Sequence, residues 1–151
     1  MSLLEVRELR VYYQSQAGPV RAVDGVSLSL NGGTALGVVG ESGSGKSSLA
    51  LALMRLLPRN IAHFSGQVLL EGVDCAGLDE DEFRRLRWER LALVFQGAME
   101  SFNPVLRVGE QVIEPLLLWG VSRKEAVARG RALLEAVMLP SRVFERYPHE
   151  L

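Results

Sequence analysis

The chain has 151 residues, of which 48% are hydrophobic and 23% are charged, so it has the composition of one soluble globular domain and not of a disordered chain. Its 17 basic side chains are balanced by 18 acidic ones, and this balance gives no general electrostatic reason to expect nucleic acid as a partner. The single cysteine, Cys75, excludes an internal disulfide and favours a reducing compartment, while the apolar stretches are far shorter than the roughly 20 residues that a membrane-spanning helix needs.

Apolar and polar residues alternate along the first thirty positions. Over residues 4–13 the pattern predicts either a strand pair or one strand with a bulge. A second alternating run covers residues 26–30 and ends at the turn sequence Asn31-Gly32-Gly33. Alternation of this kind is typical of an antiparallel sheet with one solvated face.

A different kind of strand is predicted at residues 35–39, where apolar residues follow one another without alternation. This pattern is typical of a strand that is buried on both faces in an α/β layer. A glycine-rich loop follows, and residues 46–57 predict a helix that ends at Pro58. Two more short strands are predicted at residues 67–71 and 91–95.

The later part of the chain favours helices. Asp79 and Glu82 have the spacing of a capping box, and a helix with an interior proline is predicted over residues 108–118. Ser122 and Glu125 have the same capping spacing at the start of a last helix. We expect the inward-facing side chains of that helix to be Ala126, Leu133, Leu134 and Val137.

Residues 40–47 carry the spacing G-x-x-x-x-G-K-S/T, which is typical of a phosphate-binding loop at the start of a helix. Glycines let successive backbone N–H groups point into one concavity, and the helix N-terminus adds a partial positive charge. The Lys46 ammonium can reach the β- and γ-phosphates, and the Ser47 hydroxyl can ligate Mg²⁺. The loop consists of Gly40, Glu41, Ser42, Gly43, Ser44, Gly45, Lys46 and Ser47.

Two alternatives to a nucleotide-binding loop of this kind are weaker. A flexible surface loop with an incidental lysine would match the spacing by chance in on the order of one in 200 chains of this length, and the predicted strand before the loop and helix after it also favour the phosphate site. A GTPase would need an N-K-x-D sequence, which the chain lacks. Asp74 begins a D-x-x-G match and is interpreted as a turn residue.

Three further segments join this loop, and together they resemble the ATP-binding subunit of an ABC transporter, in particular its oligopeptide, dipeptide and nickel importer branch. The resemblance runs through the whole chain in the expected order. The segments are Arg21-Ala22-Val23-Asp24-Gly25-Val26-Ser27-Leu28 before the loop, Val94-Phe95-Gln96 with Ser101-Phe102-Asn103-Pro104 as a Q-loop, and Tyr147-Pro148-His149-Glu150-Leu151 before the signature motif.

The resemblance implies an α/β fold, the P-loop nucleotide-binding domain of the ABC type, with an antiparallel β-subdomain, a helical subdomain and an incomplete core sheet. Residues 1–95 would form the β-subdomain and the N-terminal half of the ATP-binding core. Residues 96–151 would form the Q-loop and the helical subdomain.

The resemblance also implies ATP and Mg²⁺ as cofactors and assigns residues to them. Tyr13 would stack on the adenine ring; Tyr12 fits the spacing less well, and a half-buried strand aromatic is the structural alternative. Gln96 would approach the metal ion and the attacking water, unless it is a plain loop glutamine. Lys46 and Gln96 would thus be catalytic, and Ser47 and Gln96 would face the metal. The nucleotide would contact Gly40, Glu41, Ser42, Gly43, Ser44, Gly45, Lys46, Ser47 and Ser48.

The partners implied by the resemblance are a second ATP-binding subunit, in a head-to-tail dimer, and transmembrane permease subunits that contact the region after Gln96. A solvated loop is the alternative for that region. The protein would lie at the cytoplasmic face of the inner membrane, drive the uptake of peptides or a related solute, and bind no nucleic acid.

Two departures from the family pattern limit these expectations. Gly97 and Ala98 stand where the branch has Asp-Pro, which implies a less rigid loop. Leu151 aligns with the first signature residue, and neither Glu71 nor His149 has the position of the family's Walker B acid or switch histidine. We therefore expect the isolated chain to bind ATP with Mg²⁺ and to show little or no hydrolysis. The alternatives are a non-hydrolytic nucleotide-binding or docking module and another P-loop enzyme such as a small kinase.

Overall fold

The computed structural model describes residues 2–97 and 101–151. Their contacts form two compact units, Met1–Leu93 and Val94–Leu151. The helices and longer strands are β1 (Ser2–Ser15), β2 (Gly18–Asn31), α1 (Lys46–Leu53), β3 (Ile61–Leu70), α2 (Glu80–Glu89), α3 (Val108–Leu118) and α4 (Arg123–Ala136). The predicted domain assignment, with its boundary after residue 95, stays a prediction.

The first unit is built on a four-stranded antiparallel sheet in the order β2-β1-β3-β4, where β4 is the two-residue strand Val73–Asp74. The long β1 is central and pairs with both β2 and β3. Its register shifts between Val6 and Leu9 toward β2 and between Arg7 and Arg10 toward β3. Of the two predicted alternatives, one strand with a bulge is therefore correct.

Gly66 of β3 packs directly against this bulge. Its φ is +104°, and a Cβ at this position would lie 2.6 Å from both the carbonyl oxygen of Glu8 and the Cα of Leu9. Any larger residue would therefore force the two strands apart, because backbone atoms cannot move aside as a flexible side chain can. Glycine is required here by close approach as well as by its backbone angle.

The helices of the first unit pack with the sheet in a single apolar core. Helix α1 ends at Leu53, four residues before the predicted end, because Arg55 has a left-handed backbone angle (φ +51°) that does not continue the helix. Helix α2 begins at the predicted capping box: the Asp79 carboxylate accepts from the Glu82 N–H and the Glu82 carboxylate accepts from the Asp79 N–H. The core contains Val6, Leu9, Val11, Val23, Leu49, Ala52, Val68, Leu70, Cys75 and Phe83.

Two predicted strands, at residues 35–39 and 91–95, are wrong. Neither segment has strand structure, and Val39 and Val94 are 94% and 88% exposed. An apolar sequence becomes a strand only when a neighbour supplies backbone hydrogen bonds, and no strand in the described part of the chain pairs with either segment.

The second unit packs α3 and α4 with two short 3₁₀ turns, Ser141–Glu145 and Pro148–Glu150. The Ser122 hydroxyl accepts from the Glu125 N–H at 3.3 Å, so the predicted N-terminus of α4 is confirmed. None of the helices in residues 2–97 and 101–151 combines the length and apolar character that crossing a bilayer takes. The core of this unit contains Val108, Ile113, Ala126, Leu134, Val143 and Phe144.

The prediction of which α4 side chains face inward is half wrong. Ala126 and Leu134 are buried, whereas Leu133 is 55% exposed and Val137 is 63% exposed. Ala126, Gly130 and Leu134 are the buried residues of α4, and their spacing of four defines one helix face. Leu133 lies about 100° away from that face, and Val137 follows the last helical residue.

Candidate functional site

The loop at residues 40–45 depends on two glycines with left-handed backbone angles. Gly43 has φ +82° and Gly45 has φ +92°. Between them, the Ser44 N–H donates to the carbonyl oxygen of Glu41 at 3.2 Å, which closes a tight turn. Because L-residues with side chains rarely adopt such angles, conformation explains glycine at Gly45, which is a motif position, and at Gly43, which is not.

Lys46, the first residue of α1, donates hydrogen bonds from its ammonium group back to the loop. Its Nζ donates to the carbonyl oxygens of Gly40 at 2.7 Å and Glu41 at 2.6 Å, and lies 3.1 Å from the Ser44 hydroxyl. Among the ion pairs of the described residues, none uses Lys46. The positive charge is thus held by neutral oxygens. An anionic oxygen would be a stronger acceptor for it than these are.

The N-terminus of α1 adds backbone donors to this charge. Gly45 is the N-cap residue and brings no side-chain cap. The first intrahelical bond runs from the Leu49 N–H to the Gly45 carbonyl oxygen at 2.9 Å, so the N–H groups of Lys46, Ser47 and Ser48 have no acceptor within the helix. Free N–H groups and the helix dipole together favour an anion at this end.

The loop is anchored on β2 by contact between two backbones. A Cβ on Gly45 would lie 3.0 Å from the carbonyl carbon of Ala22 and would overlap its carbonyl oxygen. Ala22 belongs to the segment that precedes the loop in the predicted family pattern. The second glycine of the motif therefore has a steric reason as well as a conformational one.

A cavity of about 310 Å³ opens beside the loop and brings most of the predicted contact residues together. Tyr13, near the end of β1, pairs with Val20 of β2, and both line this cavity. Gly40 and Glu41 are joined to these residues because their carbonyl oxygens accept from the Lys46 ammonium. Ser42 is exposed in the turn. The loop and helix residues on the cavity wall are Gly43, Ser44, Gly45, Lys46, Ser47 and Ser48.

Tyr12, the less favoured adenine candidate, faces a polar network instead. Its hydroxyl donates to Oδ1 of Asp24 at 2.6 Å, its ring lies 5.1 Å from the His63 ring, and the Arg21 guanidinium lies 5.5 Å from the ring centre. The hydrogen bond from Tyr12 is the main reason why the pKa of Asp24 is lowered, and it also raises the pKa of Tyr12.

Two residues of the site were missed by the sequence interpretation. Val20 shares the cavity with Tyr13, and Ala22 supplies the carbonyl that fits against Gly45. Their place follows from the pairing register of β1 with β2, which the sequence pattern around the predicted bulge does not specify.

Gln96 belongs to the second compact unit, whereas the loop belongs to the first. It is exposed, in a turn where Gly97 has φ +75°. Its predicted roles toward the metal ion, the water and a membrane partner stay predictions. Ala98, the other departure from the family pattern, lies outside the described residues.

The predicted Mg²⁺ site depends on the chemistry of the oxygen donors that the chain offers. Within residues 2–97 and 101–151, no group of three or more His, Cys, Asp or Glu side chains is placed to hold a metal ion. Mg²⁺ in nucleotide sites is held by few protein oxygens, with phosphates and waters completing its shell. Ser47, exposed on the cavity wall, is an oxygen donor of the kind that fits this requirement.

Comparison with known sequences shows which proteins this chain is similar to. A protein-family model described as ABC transporter matches residues 23–151. The oligopeptide transport ATP-binding protein OppD of Salmonella typhimurium is 43% identical over 151 residues, an alignment that covers 98% of this chain and 45% of that protein. OppD of Escherichia coli is 42% identical over 152 residues, an alignment that covers 99% of this chain and 45% of that protein. The chain spans somewhat less than half the length of these relatives.

Solved structures with the same fold confirm the predicted fold class. The dimeric MJ0796, a bacterial ABC transporter cassette, matches with a TM-score of 0.82 and 26% identity over 98% of this chain and 62% of that one. MJ0796 in a dimeric post-hydrolysis state with ADP and Pi matches with a TM-score of 0.85 and 24% identity, again covering 98% and 62%.

Proposed function

Since the chain belongs to the ABC transporter family, we propose that it is the ATP-binding part of an importer that couples ATP binding and hydrolysis to the uptake of peptides or a related solute. The solute class is supported by the oligopeptide transport proteins that are 42–43% identical to this chain. Neither a small kinase nor a docking module without nucleotide turnover is favoured by the family assignment.

One observation carries the proposed ATP site: the Lys46 ammonium is held over the carbonyls of Gly40 and Glu41 at the uncapped start of α1, with Tyr13 on the wall of the same cavity. A triphosphate would replace those neutral acceptors, and the free N–H groups at the start of α1 would donate to its oxygens. Tyr13 offers a flat apolar face for the adenine ring.

The proposed metal ligand on this chain is the Ser47 hydroxyl. Mg²⁺, when bound, would neutralise charge on the β- and γ-phosphates. The residues themselves would do the positioning: the loop fixes the phosphates and Lys46 places a positive charge beside them. Gln96 is proposed as the second residue that faces the ion and the attacking water.

The proposed partners are a second ATP-binding subunit in a head-to-tail dimer and permease subunits that contact the region after Gln96. The dimeric MJ0796 structures support the first partner by analogy. The exposed position of Gln96 supports the second. With these partners the protein would work at the cytoplasmic face of the inner membrane.

We also propose that residues 1–151 by themselves bind ATP with Mg²⁺ and hardly hydrolyse it. Hydrolysis needs a group that orients the attacking water in addition to charge stabilisation at the phosphates. In the family pattern that carboxylate follows the signature motif, and Leu151 aligns with the first residue of the motif. Phosphate release that Lys46→Ala abolishes would contradict this proposal.

Calorimetric titration with Mg²⁺ and ATP tests the binding site. Because hydrogen bonds to charged groups contribute about 1.5–3 kcal/mol, Lys46→Ala is expected to weaken binding by about 10-fold to 100-fold. Lys124 is the only other lysine in the sequence and is exposed in the first turn of α4, so Lys124→Ala is the matched control. Equal affinities of the two variants would refute the site.

A further inference from the structure

A second cavity of the first unit, about 250 Å³ in volume, is lined mostly by apolar side chains. Leu53 at the end of α1, Phe64 and Val68 of β3, and Phe83 of α2 are among its walls. Apolar cavities of about 150 Å³ are large enough for benzene. This cavity can therefore hold a body of at least the size of one aromatic ring.

Arg55 is the cation on the wall of this cavity. Its Nη1 donates to the carbonyl oxygen of Leu78 at 3.0 Å, and its guanidinium lies 4.7 Å from the centre of the Phe83 ring. Within residues 2–97 and 101–151, no ion pair includes Arg55. A guanidinium has five N–H donors in a planar fork that matches a carboxylate, and here it is paired with no carboxylate of the described residues.

Arg87, the other guanidinium close to the same aromatic ring, shows the contrast. Its guanidinium lies 5.2 Å from the centre of the Phe83 ring, pairs with Glu80 and donates to the carbonyl oxygen of Met54 at 3.2 Å. Arg87 is therefore satisfied within the fold. The positive charge that this cavity can offer to an anionic ligand therefore comes from Arg55.

Cys75 contributes to the wall as an apolar group. Its side chain is buried, and burial raises the pKa of its thiol, so the thiol stays protonated at neutral pH. A protonated thiol is a poor nucleophile and a poor metal ligand. This part of the wall favours a non-covalent apolar contact over covalent or metal chemistry.

We infer that this cavity binds a small amphipathic carboxylate, whose apolar body packs against Phe64, Val68 and Phe83 and whose carboxylate accepts N–H bonds from Arg55. The cavity is separate from the ATP site, since its lining shares no residue with that of the cavity beside the loop. The inference goes beyond the proposed function and does not depend on it.

The experiment is an NMR titration of the isotope-labelled full chain with phenylacetate and with its neutral counterpart, phenylacetamide. We expect chemical-shift changes at Leu53, Val68 and Cys75, and an affinity for phenylacetate about tenfold or more above that for phenylacetamide, because only the carboxylate forms charge-assisted hydrogen bonds. Equal affinities, or shift changes confined to other residues, would overturn the inference. This comparison needs no variant.

Three variants sharpen the test. Arg55→Gln should lower the affinity for phenylacetate to that for phenylacetamide. Arg59→Gln, which removes an exposed charge between α1 and β3, should change neither of the two affinities. Ala76→Leu places a larger side chain on the cavity wall from an exposed position and should weaken both ligands. A preference for phenylacetate that survives Arg55→Gln would refute the role of Arg55.

Discussion

Gly45 and Ala22 fit together so closely that the space for a Cβ on Gly45 is already filled by the carbonyl group of Ala22. Gly45 is the N-cap of α1, and Ala22 lies in β2. The start of α1 is therefore fixed by a backbone contact with the antiparallel sheet. A change at either residue is transmitted directly to the proposed ATP site.

We predict that Gly45→Ala destabilises the chain more than Gly43→Ala. Both glycines have positive φ, so each substitution costs about 1–2 kcal/mol of backbone strain. Only Gly45→Ala adds overpacking, which costs about 1–3 kcal/mol, because a Cβ at Gly43 has no atom within 4 Å. Urea unfolding measures both free energies, and equal values would show that Ala22 does not constrain the loop.

Tyr13 is predicted to bind the base and Tyr12 to stabilise the strand. Tyr13→Ala should weaken ATP binding by about 5-fold to 100-fold, since stacking on an aromatic ring contributes about 1–3 kcal/mol per base. It should leave the affinity for inorganic tripolyphosphate unchanged, because that ligand has no base. Tyr12→Ala is the matched control, measured by the same titrations. A larger loss of ATP affinity with Tyr12→Ala would reverse the assignment.

The hydrogen bond from Tyr12 to Asp24 makes a prediction about pH. Tyr12→Phe removes the main cause of the lowered Asp24 pKa, so that pKa should rise toward its ordinary value; ¹³C NMR titration of the Asp24 carboxyl group measures it. A carboxyl group with a lowered pKa in the folded state stabilises the fold above its unfolded-state pKa, and this contribution is lost as pH falls through the folded-state pKa.

The stability difference between the wild type and Tyr12→Phe should therefore be present at about pH 7 and should disappear in acid, once Asp24 is protonated in both states. Tyr13→Phe serves as the control and should leave the Asp24 pKa unchanged. An Asp24 pKa that does not respond to Tyr12→Phe would mean that the nearby arginines lower it instead.

In the second unit, Gly109 makes room for the Phe144 ring. A Cβ on Gly109 would lie within 2.5 Å of the Phe144 Cγ, so Gly109→Ala is expected to destabilise the chain. Because a Cβ here would overlap the ring, the overpacking cost of about 1–3 kcal/mol should lie toward the upper end of its range and exceed the gain of about 1 kcal/mol from replacing a glycine in a helix.

A double-mutant cycle separates this contact from general effects. In the Phe144→Leu background, Gly109→Ala should cost less or become stabilising, because the smaller side chain leaves space for the added methyl group. Urea unfolding of the four proteins gives the coupling. Additive free energies would show that Gly109 and Phe144 do not constrain each other.

Predictions based on local interactions succeeded along this chain. The Asp79–Glu82 capping box and the Ser122 cap depend on residues only three positions apart, and both are confirmed. The bulged strand β1 follows from alternation within one segment, although alternation could not exclude a strand pair. These features are predictable because the groups that stabilise them are neighbours in the sequence.

Predictions that needed a distant partner were less secure. The apolar sequence at residues 35–39 and 91–95 indicated buried strands, yet burial requires a pairing strand as well as an apolar sequence. On α4, the position of the buried face decided that Leu134 is inside and Leu133 outside, and that face is set by the residues against which the helix packs.

By itself, the sequence determined the chemistry available to this protein: a glycine-rich loop, one ammonium, one hydroxyl and a helix start in a fixed order. The resemblance already favoured Tyr13 over Tyr12. Only the tertiary structure decided that Tyr13 lines the cavity beside that loop while Tyr12 binds Asp24, and that the Ala22 carbonyl packs against Gly45. The reason is the pairing register of β1 with β2: it is set by backbone hydrogen bonds between residues far apart in the chain, and a shift of one position would exchange the two faces.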